Sequence, residues 1–520
     1  MPISQQGSVN TTSLIVPDLY VQIVPPQNLV LNGVPTNVVG IVGTATWGPV
    51  DEPAIVGTMA DYAQQFGSIV PRKYDMGTHV ATAVQQGATN FRCVRVTDGT
   101  DGAASVVVPG SNASFTAIYT GSLGNNIALK LGAGTQPNTW RLSVLLSGFE
   151  PEIYDGLVGN GAAFWTGLAA AVNSGLGPQR GPSLLIIASA GGTTASPASF
   201  SLTLGASSAG SDGATQVGSN QLVGADTPGR SGMYGLRGQG CGLALLADCD
   251  DSTTWTTQAG FGLDEGIYMI LTTPAGDTIT NAVATMAAAG LDCYAAKLMF
   301  GDWLWWSDQV NNTIRLVSPQ GFAVGRLANL SPEQSSLNKQ IYGVIGSQRT
   351  GTPGSGQSTA YSAADLSALL GAGLDLICTP QPGGSYWGVR GGNNSSSNAA
   401  IDGDNYTRLT NYVAETLAAG MGIYVGQVIN INLFQQIRST QLSFLNNMYG
   451  QGLLGSTDGS LPFSVICDTS NNPSSRTSLG YVQSDTQIQY QAINERFIVN
   501  VEGGQTVQVA RQTLPTGQVN

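Results

Sequence analysis

The stretch from residue 243 to residue 299 constrains the fold of this 520-residue chain most, because strand-like and helix-like patterns alternate along it. A strand that is joined to the next one through a helix runs parallel to it, with a right-handed crossover. The sequence therefore predicts an α/β domain around a partly parallel sheet. The expected strands are Leu243–Ala247, Ile267–Thr272 and Cys293–Met299, and the expected helices are Ser252–Gly260 and Thr280–Ala289.

The same domain is expected to begin near residue 31 and to be built from two separate parts of the chain. The first part, residues 31–97, contains a capping box in which Thr58 is followed three residues later by Asp61, and the helix that it opens should end at Gly67. The second part is residues 225–340. Apolar runs in the first part predict strands at Val38–Gly43, Ala54–Val56 and Phe91–Val96.

Between these two parts, residues 98–224 change in composition. Short β-runs such as Ser105–Val108 and Ile127–Leu131 are separated by turns rich in Gly, Ser and Asn. One helix is expected around Ala162–Asn173. We interpret this segment as an inserted, mostly β domain.

The remaining residues, 341–502, mix helices and strands. One helix has an apolar face that begins at Leu409 and is expected to end at Gly420, and a second runs from Leu433 to Tyr449. Strand-like runs follow at Phe463–Cys467 and Tyr481–Tyr490. This part is predicted to be an α+β domain. Together with the α/β domain and the inserted β domain, it makes the predicted fold class that of an α+β multidomain protein.

Both ends of the chain carry strand-forming segments on polar tethers. A lone apolar strand near a chain end needs a sheet edge, and that edge can belong to another molecule. We therefore predict strand exchange between subunits, with residues 1–30 as an N-terminal arm and residues 503–520 as a C-terminal tail. The exchanged residues are Tyr20, Val21, Gln22, Ile23 and Val24 at one end and Phe497, Ile498, Val499, Asn500 and Val501 at the other.

The composition favours a protein that contacts copies of itself. Only 10% of the residues are charged, against roughly 25% in ordinary globular proteins. The net charge of −12 repels nucleic acid, and no apolar run is long enough to predict a membrane span. The first residues lack the pattern of a signal peptide. The six cysteines lie in or beside apolar runs and are expected to be buried free thiols.

Residues suited to catalysis are few, so the chain is expected not to be an enzyme and to need no cofactor. A single histidine, His79, excludes a multi-histidine zinc site, and we expect it to be structural. Phosphate-binding loops and nucleophile elbows do not occur, and Gly238, Gly240 and Gly242 follow a loop rather than a strand. Asp248, Asp250 and Asp251 end a predicted strand, where they either bind a divalent ion or cap the next helix. Trp303, Trp305 and Trp306 are interpreted as a core corner or subunit contact rather than a carbohydrate platform.

Several residue runs, in the same order along the chain, resemble the contractile tail sheath proteins of bacteriophages and related injection machines. The resemblance is weakest between residues 97 and 224, and Leu123 stands where that family more often carries Trp. The runs are Gly33–Thr36, Gly43–Pro49, Phe66-Gly67, Tyr119–Ile127, Ser318–Arg326, Arg408, Phe444–Gly455, Cys467-Asp468 and Asn471–Pro473.

The resemblance implies a structural subunit of a phage tail sheath. Such subunits stack as hexameric rings around an inner tail tube, meet baseplate and neck or terminator proteins, and contract during genome ejection. It also implies that the inserted domain points outwards and that the C-terminal domain faces the tube. The candidate tube contacts are Arg408, Arg438 or the helix of residues 433–449. The protein would be part of the virion and would assemble in the cytoplasm of the host bacterium.

Two other functions stay open at this point. One is an α/β enzyme with a β accessory domain, whose site would use Asp248, Asp251 and Asp277. The other is a virion or surface adhesin. An enzyme would show turnover as a discrete particle, and an adhesin would bind a glycan or a cell without forming a polymer.

Overall fold

The computed structural model describes residues 31–357 and 360–503, and the backbone of Ile3–Ser4 and Val21–Gln22. The helices are α1 (Met59–Phe66), α2 (Met76–Gln85), α3 (Gly161–Ser174), α4 (Ser219–Val223), α5 (Trp255–Glu265), α6 (Ile279–Ala289), α7 (Gln320–Ala328), α8 (Ala363–Gly371), α9 (Asp404–Met421), α10 (Ile431–Gly450) and α11 (Ser474–Thr477).

The first twelve strands belong to the N-terminal 203 residues. They are β1 (Ile3–Ser4), β2 (Val21–Gln22), β3 (Val39–Gly43), β4 (Pro53–Val56), β5 (Phe91–Arg95), β6 (Ser105–Val107), β7 (Ser114–Ala117), β8 (Ala128–Ala133), β9 (Trp140–Leu145), β10 (Glu152–Leu157), β11 (Ile186–Ser189) and β12 (Phe200–Thr203).

The remaining strands follow residue 242. They are β13 (Leu243–Leu246), β14 (Tyr268–Thr272), β15 (Ala296–Met299), β16 (Leu304–Asp308), β17 (Thr313–Val317), β18 (Val344–Ser347), β19 (Leu374–Asp375), β20 (Ile377–Cys378), β21 (Gly388–Val389), β22 (Phe463–Ile466) and β23 (Asp485–Ile488).

A seven-stranded sheet in the order β19-β15-β14-β13-β3-β5-β4 is the centre of the structure. All neighbouring pairs are parallel except the edge pair β4 and β5. The alternation of strands and helices after residue 242 thus produces the expected parallel arrangement, which confirms the predicted α/β sheet. β3 and β13 lie side by side although some 200 residues separate them, so the sheet joins two distant parts of the chain. β19 adds residues 374–375 at one edge.

Both faces of this sheet are covered, as a parallel sheet requires. Val39 and Ile41 point into the cluster that contains α2 and α7, whereas Val38 and Val42 point into the cluster on the opposite face. On the first face α1 begins with the predicted capping box of Thr58 and Asp61, with both reciprocal hydrogen bonds formed. The prediction of that helix and of Gly67 as its C-cap is confirmed.

The inserted segment has its own core between two antiparallel sheets and α3. One sheet has the order β10-β9-β8-β12 and the other the order β11-β7-β6. Trp47, from the central domain, is fully buried in this core. The predicted mostly β character and the single long helix are confirmed, while the predicted domain boundaries stay a prediction.

The C-terminal region packs α9 and α10 against the two-stranded sheet of β22 and β23. The predicted helix beginning near Leu409 is present but does not end at Gly420, since α9 continues to Met421. A Cβ at Gly420 would lie 2.2 Å from Leu31 Cδ2, so a glycine at this helix position leaves room for Leu31 as it is packed. Of the run Tyr481–Tyr490, only Asp485–Ile488 forms a strand.

The two terminal segments differ in how far the structure describes them. Val21 and Gln22 pair in parallel with Ile3 and Ser4 of the same chain, whereas Tyr20, Ile23 and Val24 lie outside the described residues. Phe497–Val501 forms no strand and is exposed. None of the helices in the described ranges combines the length and apolar character that crossing a lipid bilayer requires.

Candidate functional site

The sheet of β22 and β23 has only two strands, and each strand has an edge that its partner leaves open. Phe463 faces Ile488, and the Gln489 backbone N–H donates to the Pro462 carbonyl at 2.7 Å. Because hydrogen-bonded pairs alternate in an antiparallel ladder, the backbone groups of Phe463 and Val465 point away from β23. The backbone groups of Thr486 and Ile488 point away from β22 for the same reason.

One face of this sheet is buried and the other is open to solvent. Phe463 and Val465 pack against α9 and α10, whereas Ser464 and Ile466 are exposed. A two-stranded sheet is only marginally stable by itself and is stabilised by a helix or by further strands. The helices support one face here, and the edge of β23 remains available for an added strand.

Residues 31–36, which we call the strap, directly follow the N-terminal arm and pack against α9. Leu31 is buried in the same cluster as Phe463 and Val465. The backbone N–H of Val34 donates to Thr416 Oγ1 at 3.2 Å. Gly33 lies so close to α9 that a Cβ would come within 1.8 Å of the Tyr412 hydroxyl oxygen. The arm therefore begins near the C-terminal end of α9, next to Gly420.

The C-terminal tail leaves from the other end of α9. Asn405 Nδ2 donates to the Gln491 carbonyl at 3.0 Å, and Tyr490 contacts the ring of Tyr406 edge-on. Beyond these contacts Phe497, Ile498, Val499 and Val501 are 82%, 80%, 63% and 85% exposed. With 18 residues α9 is about 27 Å long, so the two terminal segments are anchored about that far apart.

The surface beyond the end of α9 is apolar and almost uncharged. Ile423, Val425, Val428 and Ile431 are all more than half exposed. Arg438 is the one charged residue between positions 416 and 457. Depletion of charge together with exposed apolar side chains is typical of a protein interface.

The two arginines predicted as tube contacts are placed very differently. Arg408 is buried, and its guanidinium donates to the carbonyls of Ser331 at 2.9 Å and Leu330 at 2.8 Å. Burial lowers the pKa of Arg408 to about 10. Arg438 is exposed on α10, and its Nε donates to the Val465 carbonyl at 3.1 Å. Of the two, only Arg438 is accessible to another protein in this conformation.

The aspartates considered for metal binding are used in ordinary structural contacts. Buried Asp248 lies 3.0 Å from Nε2 of His79, and Asp250 forms an ion pair with Lys73 at 2.9 Å. Asp251 accepts a hydrogen bond from the Thr253 N–H as a helix cap. Asp277 accepts one from Asn281 Nδ2. Across residues 31–357 and 360–503 no cluster of three or more His, Cys, Asp or Glu side chains is arranged to hold a metal ion.

The tryptophan group forms a corner of the core rather than a platform. Trp303 is buried and its Nε1 donates to the Thr273 carbonyl at 3.2 Å. Trp306 is also buried, donates to Gln85 Oε1 at 2.9 Å and carries Arg315 over its ring. The six cysteines are free, and all except the half-buried Cys293 are buried. The tryptophan prediction is confirmed. The cysteine prediction is confirmed for every cysteine except Cys293, which is free but only half-buried.

Sequence reasoning missed a buried ionic network that fixes the first turn of α9 to the central sheet. Lys297 on β15 donates to Asp375 on β19 at 2.5 Å and to Asp404 at 3.0 Å, and all three side chains are buried. Asp404 also accepts hydrogen bonds from Tyr268 and from the Ser336 hydroxyl. Burial raises the pKa of Asp404, but the Lys297 charge and these hydrogen bonds more than offset it, so the pKa falls below its ordinary value.

Comparison by sequence identifies no relative, because no protein-family model and no curated protein matches the chain. Comparison by structure finds proteins of the same fold. A sheath tail protein from Desulfitobacterium hafniense has 16% identity and a TM-score of 0.55, over 86% of this chain and 93% of that chain. A sheath tail protein from Listeria innocua has 14% identity and a TM-score of 0.57, over 85% and 90%.

Sheaths of contractile injection systems show the same likeness. The PVC sheath in its contracted state has 10% identity and a TM-score of 0.53, over 94% of this chain and 97% of that chain. The contracted sheath of the anti-feeding prophage gives 10% and 0.53, over 94% and 99%. These proteins are described as sheath components and not as enzymes. The chain therefore has the fold of the contractile tail sheath proteins.

Proposed function

We propose that this chain is a structural subunit of a contractile sheath and polymerises by exchanging strands with its neighbours. The observation that carries the proposal is the pairing of an open two-stranded sheet with an exposed apolar segment in the same chain. β22 and β23 accept strands, and Phe497–Val501 is suited to donate one. The likeness to sheath structures over nearly the full length supports this function.

The energetics of strand addition favour such an assembly. β23 presents outward backbone groups at Thr486 and Ile488, which offer two donors and two acceptors. At about 1 kcal/mol for each hydrogen bond, an added strand gains about 4 kcal/mol before ordering costs. Burial of a side chain such as Phe497 adds about 2 kcal/mol. Contacts of this kind run head to tail and build filaments rather than closed dimers.

The positions of the two terminal segments support an assembly in which each subunit is linked to two different neighbours. The strap begins at the C-terminal end of α9 and the tail leaves from its N-terminal end. One subunit then reaches two different neighbours from points about 27 Å apart. We infer that Tyr20–Val24 and Phe497–Val501 enter the C-terminal sheets of these neighbours, so that subunits stay linked while their bodies rotate.

The proposal extends to the particle that this sheath would build. Stacked hexameric rings would surround an inner tail tube, and a drop in free energy between two packings would drive contraction without nucleotide hydrolysis. The apolar loop of Ile423, Val425, Val428 and Ile431, with the exposed side of α10, is the surface that we assign to the tube. The inserted domain would face outwards, and the ends of the sheath would meet baseplate and neck proteins.

We place the subunit in the tail of a bacteriophage, where contraction drives the tube through the host envelope, with assembly in the host cytoplasm. Negative-stain electron microscopy of the purified full-length chain tests the central proposal. We expect hollow tubes or stacked rings at high protein concentration. Monodisperse particles with no tubes, at all salt and protein concentrations tried and also when the inner tube protein is supplied, would rule out a sheath subunit.

A further inference from the structure

The two edges of the β22–β23 sheet are not equivalent, because one of them is already occupied by a side chain. The Val465 carbonyl points away from β23, and Arg438 Nε donates to it at 3.1 Å. A strand arriving on β22 would need that carbonyl as an acceptor, so it would have to displace the guanidinium. A charged side chain at an edge is a common device against unwanted strand pairing.

The β23 edge has no such cover. Thr486 and Ile488 direct their backbone N–H and C=O groups outwards, and within the part of the chain that the structure describes these groups make no hydrogen bonds. The Thr486 side chain does not cover these backbone groups, because its hydroxyl donates to Gln441 Oε1 on α10. The strand is half-exposed along its length. An incoming strand can therefore pair here without breaking an existing contact.

We propose that Arg438 directs strand exchange, so that the first donated strand adds to β23 while the β22 edge stays closed until Arg438 leaves Val465. This inference rests on the proposed function and specifies the order in which donated strands add to the sheet. It gives Arg438 a role as a positioning residue at the sheet edge. The partner on β23 is an extended apolar segment of a second copy of this chain, with Phe497–Val501 as the described candidate.

The test uses the full-length chain, kept below the concentration at which it polymerises, and synthetic peptides of residues 494–503 and 18–26. Hydrogen exchange is followed at single amides while each peptide is titrated to saturation. In the unmodified protein we expect slower exchange at Thr486 and Ile488 and no change at Phe463 and Val465. In Arg438→Ala we expect protection at all four amides.

Arg476→Ala is the matched control, because Arg476 is also exposed in this region but contacts Gln483, before β23, and not the β22 edge. It should behave as the unmodified protein. Equal protection of both edges before any substitution, or an unchanged pattern in Arg438→Ala, overturns the role of Arg438 and leaves strand exchange standing. If saturating peptide protects neither edge in any variant, the sheet does not accept strands, and the proposed function is wrong as well.

Discussion

Lys297 and Asp404 form an ion pair of 3.0 Å that joins the central sheet to the first turn of α9, with both side chains fully buried. Asp375 completes the network at 2.5 Å from the same ammonium group. Replacing Lys297 by Met leaves two buried carboxylates without their cation. We expect the free energy of unfolding to fall by about 3–5 kcal/mol in urea denaturation. Arg230→Met, which removes an exposed ion pair with Asp226, should cost only about 0–1 kcal/mol.

The same network predicts how stability depends on pH. The pKa of Asp404 lies below its ordinary value in the folded protein. Its contribution is therefore present above the pKa of an unfolded aspartate, about 4, and is lost as the pH falls through the lower folded value. We expect Asp404→Asn to be less stable than the unmodified protein at pH 7, and the difference to shrink at pH 3. A difference that is constant over this range, measured by thermal unfolding, would contradict the assignment.

The strap on α9 is expected to be required for assembly and not for folding. Gly33→Leu places a side chain where Tyr412 leaves no room, so residues 31–36 should detach while the body stays folded. Limited proteolysis should then cleave within the strap, and electron microscopy should show no tubes. Gly167→Leu is the control, because that exposed position on α3 has open space around it. Normal tubes from Gly33→Leu would show that the anchor is dispensable.

Removing either terminal segment should separate folding from polymerisation. Deletion of residues 1–25, or of residues 497–520, is expected to leave the thermal midpoint of the protein within a few degrees of its original value. Size-exclusion chromatography should show monomers, and tubes should be absent, because the donated strand is missing. A truncated protein that forms ordinary tubes would remove that segment from the mechanism.

The inserted domain is expected to be peripheral to assembly. The Asp98 N–H donates to the Gly213 carbonyl at 2.7 Å, so a short Gly-Ser linker can replace residues 98–213. Trp47→Ser belongs in the same variant, because Trp47 is buried in the core that is removed. Tubes of smaller outer diameter are the expected result. A folded variant that no longer assembles would show that the inserted domain makes essential contacts.

Local patterns allowed much of this fold to be predicted from sequence. The capping box that begins α1 depends on residues three apart, and the apolar face of α10 depends on spacing within one helix. Gly420 was misjudged because the reason for its small size is Leu31, nearly 390 residues earlier. The network of Lys297, Asp375 and Asp404 was missed for the same reason, since the sheet topology brings these distant positions together.

In the candidate site, too, local sequence predicts some features, while others depend on distant contacts. The apolar character of Phe497–Val501 is visible in the sequence, and in the structure this segment is exposed. The sequence does not distinguish Arg408 from Arg438 as a contact residue. In the structure Arg408 is buried against two carbonyls, whereas Arg438 lies at a sheet edge. Side-chain burial of this kind depends on how α9 and α10 pack, which periodicity alone does not specify.

The six free cysteines have a practical consequence. Burial raises the pKa of every one of these thiols, so at neutral pH they are held as poorly nucleophilic SH groups. A cysteine engineered at an exposed position away from the strand-accepting sheet, such as Ser174 at the end of α3, would then react with a maleimide dye in preference to the native ones. Growth and shortening of single fluorescent polymers could be followed in real time without first removing any natural thiol.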